Sequence, residues 1–148
     1  MEIRLAIVDD AASMVAMGRD FLAYSEYRSL DVTEGQMLEG ITSVISAGMS
    51  FVAVADAQII GAILGVACPF WFARHITAAI ELAWWVAPSH RGSSAGLKLL
   101  NAFERNAASL GIQHIGISDL VVGGETPVAK LLARRGYRLT ERMHTKEI

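Results

Sequence analysis

Two neighbouring features of this chain have residue types and spacing suited to chemistry: a lone carboxylate, Glu81, in the apolar run Thr77–Val86, and the small-residue segment that follows it. The run Glu81-Leu82-Ala83-Trp84-Trp85-Val86 passes through Ala87-Pro88-Ser89-His90 into Arg91-Gly92-Ser93-Ser94-Ala95-Gly96-Leu97. Pro88 cannot donate a ladder hydrogen bond, so the strand ends there. From Gly92 to Gly96 the side chains are small, and backbone N–H groups can point outward at the start of a helix. First-turn N–H groups lack intrahelical partners and the macrodipole favours negative charge, so the expected ligand is a phosphate or pyrophosphate. Arg91 adds a charge-assisted donor to the same turn. Partial burial of Glu81 among apolar neighbours would raise its pKa toward neutrality, where a carboxylate serves as a general base; a carboxylate paired with a basic side chain or facing water is the other reading.

Other chemistries fail on spacing. A P-loop needs Gly-Lys-Ser/Thr after its first glycine and four further residues, and here Leu97 separates Gly96 from Lys98. No G-x-G-x-x-G follows a strand, so a dinucleotide fold is unsupported. His75, His90, His114 and His144 are scattered and Cys68 is the sole cysteine, so neither a metal site nor an internal disulfide is expected. Cys68 reads as a small buried hydrophobe. Ser118 and Asp119 close a run, Ile112–Ser118, and stand where a cleft beside Glu81 would open. Tyr24, Glu26 and Tyr27 form a polar, aromatic stretch suited to gripping a second substrate. Trp84 and Trp85 point to opposite faces of a regular strand, so at most one lines the cleft.

The elements that must position these residues follow from periodicity and punctuation. Glu2–Ile7 alternates as a half-buried strand, and Asp9 or Asp10 can cap the helix behind it, marked by Met14, Met17 and Phe21. Thr33-Glu34-Gly35-Gln36 fits a capping box for a second helix with Met37, Ile41 and Val44 on its apolar stripe and Gly48 at its exit. Met49–Ala55 and Ile59–Ala67 read as a hairpin about Asp56-Ala57-Gln58, and Pro69–His75 as a loop bearing exposed aromatics. Leu100, Phe103, Ala107 and Leu110 mark the helix after the Arg91–Leu97 turn. Thr126 and Pro127 open a short helix ending at Gly136, and Tyr137–Ile148 reads as a last strand. The fold class is α/β, a central mixed and mostly antiparallel sheet with helices on both faces.

At 148 residues, with 53% hydrophobic and 19% charged residues, the chain is expected to form one domain, 1–148, with an ample core. A net charge of -2 offers no basic field, which argues against nucleic acid as a partner. The uncharged run Ala57–Ala73 is interrupted by Pro69 and falls short of the roughly 18 residues a membrane span requires, so no membrane partner is expected. No secretory signal pattern opens the chain, and the expected compartment is the cytoplasm.

The order of elements, with Arg91-x-x-Ser94-x-Gly96 after an apolar strand, resembles the GNAT superfamily of acyl-CoA-dependent N-acyltransferases along essentially the whole chain. Ile3-Arg4-Leu5-Ala6 with Asp9-Asp10, and Ala133-Arg134-Arg135-Gly136-Tyr137, look like the family's first strand and its helix-to-strand exit. The resemblance implies acetyl-CoA as co-substrate, with the pyrophosphate on the backbone of Arg91, Gly92, Ser93, Ser94, Ala95, Gly96 and Leu97. It implies an oxyanion site along Trp84, Trp85 and Val86, and direct attack by an amine with Glu81 as base. Ser118 joins Glu81 as a catalytic candidate. The acceptor is expected to be a small-molecule or peptide amine, with no metal and a possible homodimer through Phe70, Trp71 and Phe72. Ser94 replaces the family's usual glycine, and Leu132 stands where many members carry a tyrosine that protonates the departing thiolate. Those departures keep open an alternative: a non-catalytic acyl-CoA-binding sensor or interaction module on the same scaffold.

Overall fold

The computed structural model describes residues 1–120, 126–146 and 148. They form two compact units, Met1–Ser118 and Asp119–Ile148. The first unit is built on a five-stranded sheet in the order β1 (Glu2–Leu5), β2 (Phe51–Ala55), β3 (Gln58–Phe70), β4 (Ala73–Val86) and β5 (His114–Gly116). All pairings are antiparallel except the parallel one between β4 and β5. Alternation along β2 and β3 divides the core. Phe51, Ala53 and Ile63 pack with Leu99 and Phe103 of α3 (Ala95–Ser109), whereas Val52 and Ala62 pack with Met14 of α1 (Ala11–Tyr24) and Ile41 of α2 (Glu34–Ser46). Helices therefore cover both faces, as the sequence pattern requires.

Local chemistry sets most of the boundaries. Thr33 Oγ1 accepts the Gln36 N–H at 3.3 Å while Gln36 Oε1 accepts the Thr33 N–H at 2.9 Å, the reciprocal box expected at the start of α2. Asp10 stands just before α1 but makes no cap with its side chain. Its carboxylate turns back, taking two bonds from Arg4 at 2.7 and 2.8 Å and the Ile7 N–H at 2.9 Å. A buried carboxylate gains more from a guanidinium and an amide than from one helix N–H, so pinning β1 to α1 displaces the capping role.

The β3–β4 hairpin is longer than the sequence suggests. The expected loop Pro69–His75 shrinks to a tip at Trp71 and Phe72, which are 86% and 68% exposed. Pro69 is tolerated within β3 because the β2 ladder stops at Ile63, leaving the outer edge of β3 without a neighbour that needs its missing N–H. The same uncovered arm carries Cys68, which is exposed and not buried as expected.

In the second unit, α4 (Pro127–Arg134) starts as expected, with Thr126 Oγ1 accepting the Ala129 N–H at 3.0 Å. The strand expected over Tyr137–Ile148 does not form in its described residues, where Leu139 and Met143 are 77% and 85% exposed. Alternation there is interrupted by Glu141, Arg142 and His144, which leaves no continuous apolar face among the described residues for a strand to bury.

Candidate active site

β4 and β5 part immediately before Glu81. Their ladder pairs Ala78 with His114, Ala79 with Ile115 and Ile80 with Gly116, and then stops. From Glu81 to Val86 one edge of β4 has no strand paired with it among the described residues. The alternation of an antiparallel ladder tells which backbone groups face that edge. Ala87 N–H donates to Ile60 O at 2.9 Å, which makes Gly61 and Val86 a non-hydrogen-bonded pair and Ala62 and Trp85 a hydrogen-bonded one. The backbone groups of Ala83 and Trp85 are thus spent on β3, and those of Trp84 and Val86 face the open edge. Arg91 agrees with this direction, its Nε–H donating to Val86 O at 3.2 Å.

A bulge aims the carboxylate. Leu64 pairs with Ala83 but Gly65 pairs with Glu81, so Leu82 is an extra residue and stands 48% exposed. The inserted residue brings Glu81 onto the α3 face with Trp84 and Val86; a regular strand would turn it to the α1 and α2 face. Gly65 opposite is obligatory, because a Cβ there would lie 2.5 Å from the Phe103 ring and 2.8 Å from Ile80 O. Glu81 is 4% exposed, and its Oε2 accepts the Ser118 N–H at 2.8 Å, so the carboxylate bridges the two strands where they separate. Burial raises its pKa to about 7, with the hydrogen bonds from Ser118 opposing the rise. At neutral pH both protonation states are populated, as a general base requires.

The turn after β4 leaves donors free. Gly92 has φ +82 with open space where a Cβ would be, whereas Ser94 has φ -76 and needs no glycine. Ser94 in place of the usual glycine is therefore unstrained. The amides of His90, Arg91 and Ser93 bond back to Ala87, Pro88 and His90, and Ala95 N–H takes Ser93 Oγ at 3.2 Å. Those of Gly92, Ser94, Gly96 and Leu97 have no partner among the described residues. They sit at the start of α3, where an anion is favoured.

The two tryptophans diverge as strand geometry dictates. Trp84 is half-buried beside Gly96. Trp85 is buried on the other face, edge-on to Phe21 and Tyr24 with ring centroids 6.0 and 5.5 Å away. The Arg91 guanidinium lies 4.3 Å above the Trp85 ring and 5.3 Å from that of Tyr24. Tyr24 thus joins the turn, whereas Glu26 and Tyr27 are exposed beyond the end of α1 and make no described contact with Glu81 or the turn. Sequence reasoning missed the bulge at Leu82, the constraint at Gly65 and a cavity of about 220 Å³ beside Trp85 between the sheet, α1 and α2. The available signal for the cavity was the set of small residues, Gly18, Ala62 and Ala83, amid methionines.

A model of the acetyltransferase (GNAT) family matches residues 19–137. The chain belongs to the GNAT acetyltransferases. This GNAT chain is similar in fold to a probable acetyltransferase, at 16% identity and TM-score 0.76, the match covering 100% of this chain and 98% of that one. It is also similar to a ribosomal-protein-alanine N-acetyltransferase from Brucella melitensis biovar Abortus 2308, at 12% identity and TM-score 0.71, covering 99% and 97%. A third solved relative is a predicted acetyltransferase with acetyl-CoA from Clostridium acetobutylicum, at 13% identity and TM-score 0.74, covering 99% and 95%. No curated protein matches the sequence. Among the described residues no cluster of His, Cys, Asp or Glu is arranged to hold a metal ion, and no helix is long and apolar enough to cross a membrane.

Proposed function

We propose that this GNAT chain transfers an acetyl or other short acyl group from acetyl-CoA to an amine, by direct attack within a ternary complex in the cytoplasm. The observation that carries the reading is Glu81, a buried carboxyl with a pKa near 7 at the point where β4 and β5 separate. An attacking amine must lose a proton that it carries at neutral pH, and a base matched to that pH lowers the cost. Ser118 fixes the carboxylate by its N–H, leaving the side chain little freedom to turn from the cleft.

The residues present fit the co-substrate, which brings an activated thioester carbonyl. The free amides of Gly92, Ser94, Gly96 and Leu97 would hold its pyrophosphate, with Ser93 and Ala95 shaping the turn. Arg91 commits Nε to Val86 and keeps its terminal nitrogens for phosphate. Trp84 and Val86 present backbone groups along the open edge, where an N–H can meet the oxyanion. Trp85 contributes through its ring, and Tyr24, Glu26 and Tyr27 receive a small-molecule or peptide amine. Two copies pairing through the exposed Trp71 and Phe72 belong to the same reading, checked by mass in solution.

Calorimetric titration with acetyl-CoA, beside dephospho-coenzyme controls, tests the site, and amine-dependent thiol release tests the reaction. Saturable binding that weakens when phosphate is removed, followed by release, supports transfer. Binding without release for any amine would make the chain a coenzyme-binding module, and no binding at millimolar coenzyme would end both readings.

A further inference from the structure

The proposed transfer leaves a thiolate behind, and a proton has to reach its sulfur. A free thiol has a pKa of about 8.5, so a thiolate departing at neutral pH is a basic group, and a proton delivered as the C–S bond breaks lowers the barrier. Beyond Glu81 the free edge of β4 holds no such donor: Leu82, Ala83, Trp84, Trp85 and Val86 follow, none of them an acid. Tyr24 packs against Trp85 on the opposite face of the sheet. Leu132 is apolar and only 8% exposed.

Ser118 stands differently. The β4–β5 ladder ends at Ile80 and Gly116, so the gap between the parted strands has Glu81 on one wall and Ile117 and Ser118 on the other. A thioester whose carbonyl oxygen meets the N–H groups of the free edge has its sulfur in the same gap. The Ser118 N–H donates to Glu81 Oε2 at 2.8 Å, and its hydroxyl is hydrogen-bonded to the same carboxyl. The two residues differ in access: Glu81 is 4% exposed, whereas Ser118 is exposed. The hydroxyl is thus the outer member of the pair and gives a proton on the buried carboxyl its way out. A serine hydroxyl is too weak an acid to protonate a thiolate unaided. It is donor and acceptor at once, however, so it can give its own proton as it takes another.

Resting on the proposed acyl transfer, we propose that the Ser118 hydroxyl carries the proton taken up by Glu81 to the departing thiolate. Glu81 takes the first proton from the ammonium, and the neutral nitrogen attacks the thioester carbon. As the C–S bond breaks, the sulfur keeps the bonding pair and takes the proton of Ser118 Oγ, which takes in turn the proton on Glu81. The nitrogen's second proton then returns to the ionised Glu81 and passes to water through the same hydroxyl. Amide, thiol and one proton in solution are the products, and both side chains are restored.

Ser118→Ala removes the hydroxyl and keeps the N–H that holds Glu81, and Ser118→Thr keeps both. With acetyl-CoA, Ser118→Ala should lower amine-dependent thiol release about a hundredfold, with coenzyme affinity unchanged, and Ser118→Thr should recover most of the rate. With an acetyl nitrophenyl thioester, whose thiol ionises below neutral pH and leaves without a proton, Ser118→Ala and the wild type should differ by less than about threefold. Carbon NMR of isotope-labelled Glu81 checks the contact with no substrate present. Its carboxyl should titrate at higher pH in Ser118→Ala than in the wild type, because a hydrogen bond to the carboxylate has gone. Equal losses with both donors, or a Glu81 titration that Ser118→Ala leaves unmoved, overturn the relay and leave the transfer reading standing. A wild type that releases no thiol from acetyl-CoA with any amine ends the transfer reading and the relay together.

Discussion

Replacing Glu81 by glutamine removes the charge and keeps an oxygen to accept the Ser118 N–H, so the variant isolates what ionisation costs the fold. The folded carboxyl titrates at about 7, against 4.5 for the free side chain. Between those values the native state holds a proton that the unfolded chain has released, so stability falls as pH rises through this window and levels off above it. Taking about 1.4 kcal/mol per pKa unit, the loss from Glu81 amounts to about 3 kcal/mol by pH 8. Urea unfolding of both proteins at intervals from about pH 4.5 to 8.5 gives the test as a difference, which cancels every other titrating group. Glu81→Gln should match the wild type at the acid end and exceed it by about 3 kcal/mol at the alkaline end. The same variant should slow amine-dependent thiol release roughly a hundredfold or more and flatten its rise around pH 7, with coenzyme affinity unaltered. A stability difference that does not vary with pH would refute the buried, proton-holding carboxyl on which the base assignment depends.

Other consequences are equally accessible. Gly65→Ala forces a Cβ against the buried Phe103 ring and the Ile80 carbonyl, and should cost about 3 kcal/mol, seen as a fall in Tm of roughly 10 °C. Ala57 sits at φ 60 in the β2–β3 turn, so Ala57→Gly should raise stability by about 1 kcal/mol in urea titration. Asp10→Asn removes the two charged bonds to Arg4 and should cost about 2 kcal/mol at pH 7. Arg4 holds the Asp10 pKa below its ordinary 3.8, so that stabilisation is present above the ordinary value and disappears as pH falls through the lowered one. The gap between Asp10→Asn and wild type should accordingly close in acid.

Elements with local signals were legible in the sequence. The Thr33–Gln36 box, the Thr126–Pro127 start and the turn from Pro88 into α3 each depend on residues a few positions apart, and each stands where the sequence places it. What could not be read depends on register. Whether Glu81 faces α3 or α1 turns on one inserted residue, Leu82, and no periodicity in β4 announces a bulge that exists only in its pairing with β3. The extent of the β3–β4 arm was missed because Pro69 signals a break everywhere except on an unpaired edge. The Tyr137–Ile148 strand was over-read from alternation alone, which supplies a pattern but no partner. A cap from Asp9 or Asp10 is what local spacing suggests, and the guanidinium of Arg4 that takes Asp10 instead comes close only once β1 and the turn have folded.

Arg91 was described by its contacts with Val86 O, Trp85 and Tyr24. Those contacts tie the turn before α3 to the far face of the sheet, since the ring that the guanidinium covers packs edge-on to Phe21 and Tyr24 of α1. Anything that draws the guanidinium off Trp85 loosens the packing of α1 on β4, and anything that shifts α1 changes how firmly the guanidinium is held. Thermodynamic linkage makes the two effects equal, so whatever one change does to the other is returned in full. The turn and the end of α1 thus behave as one coupled unit, and any sequence change at Arg91 resets both.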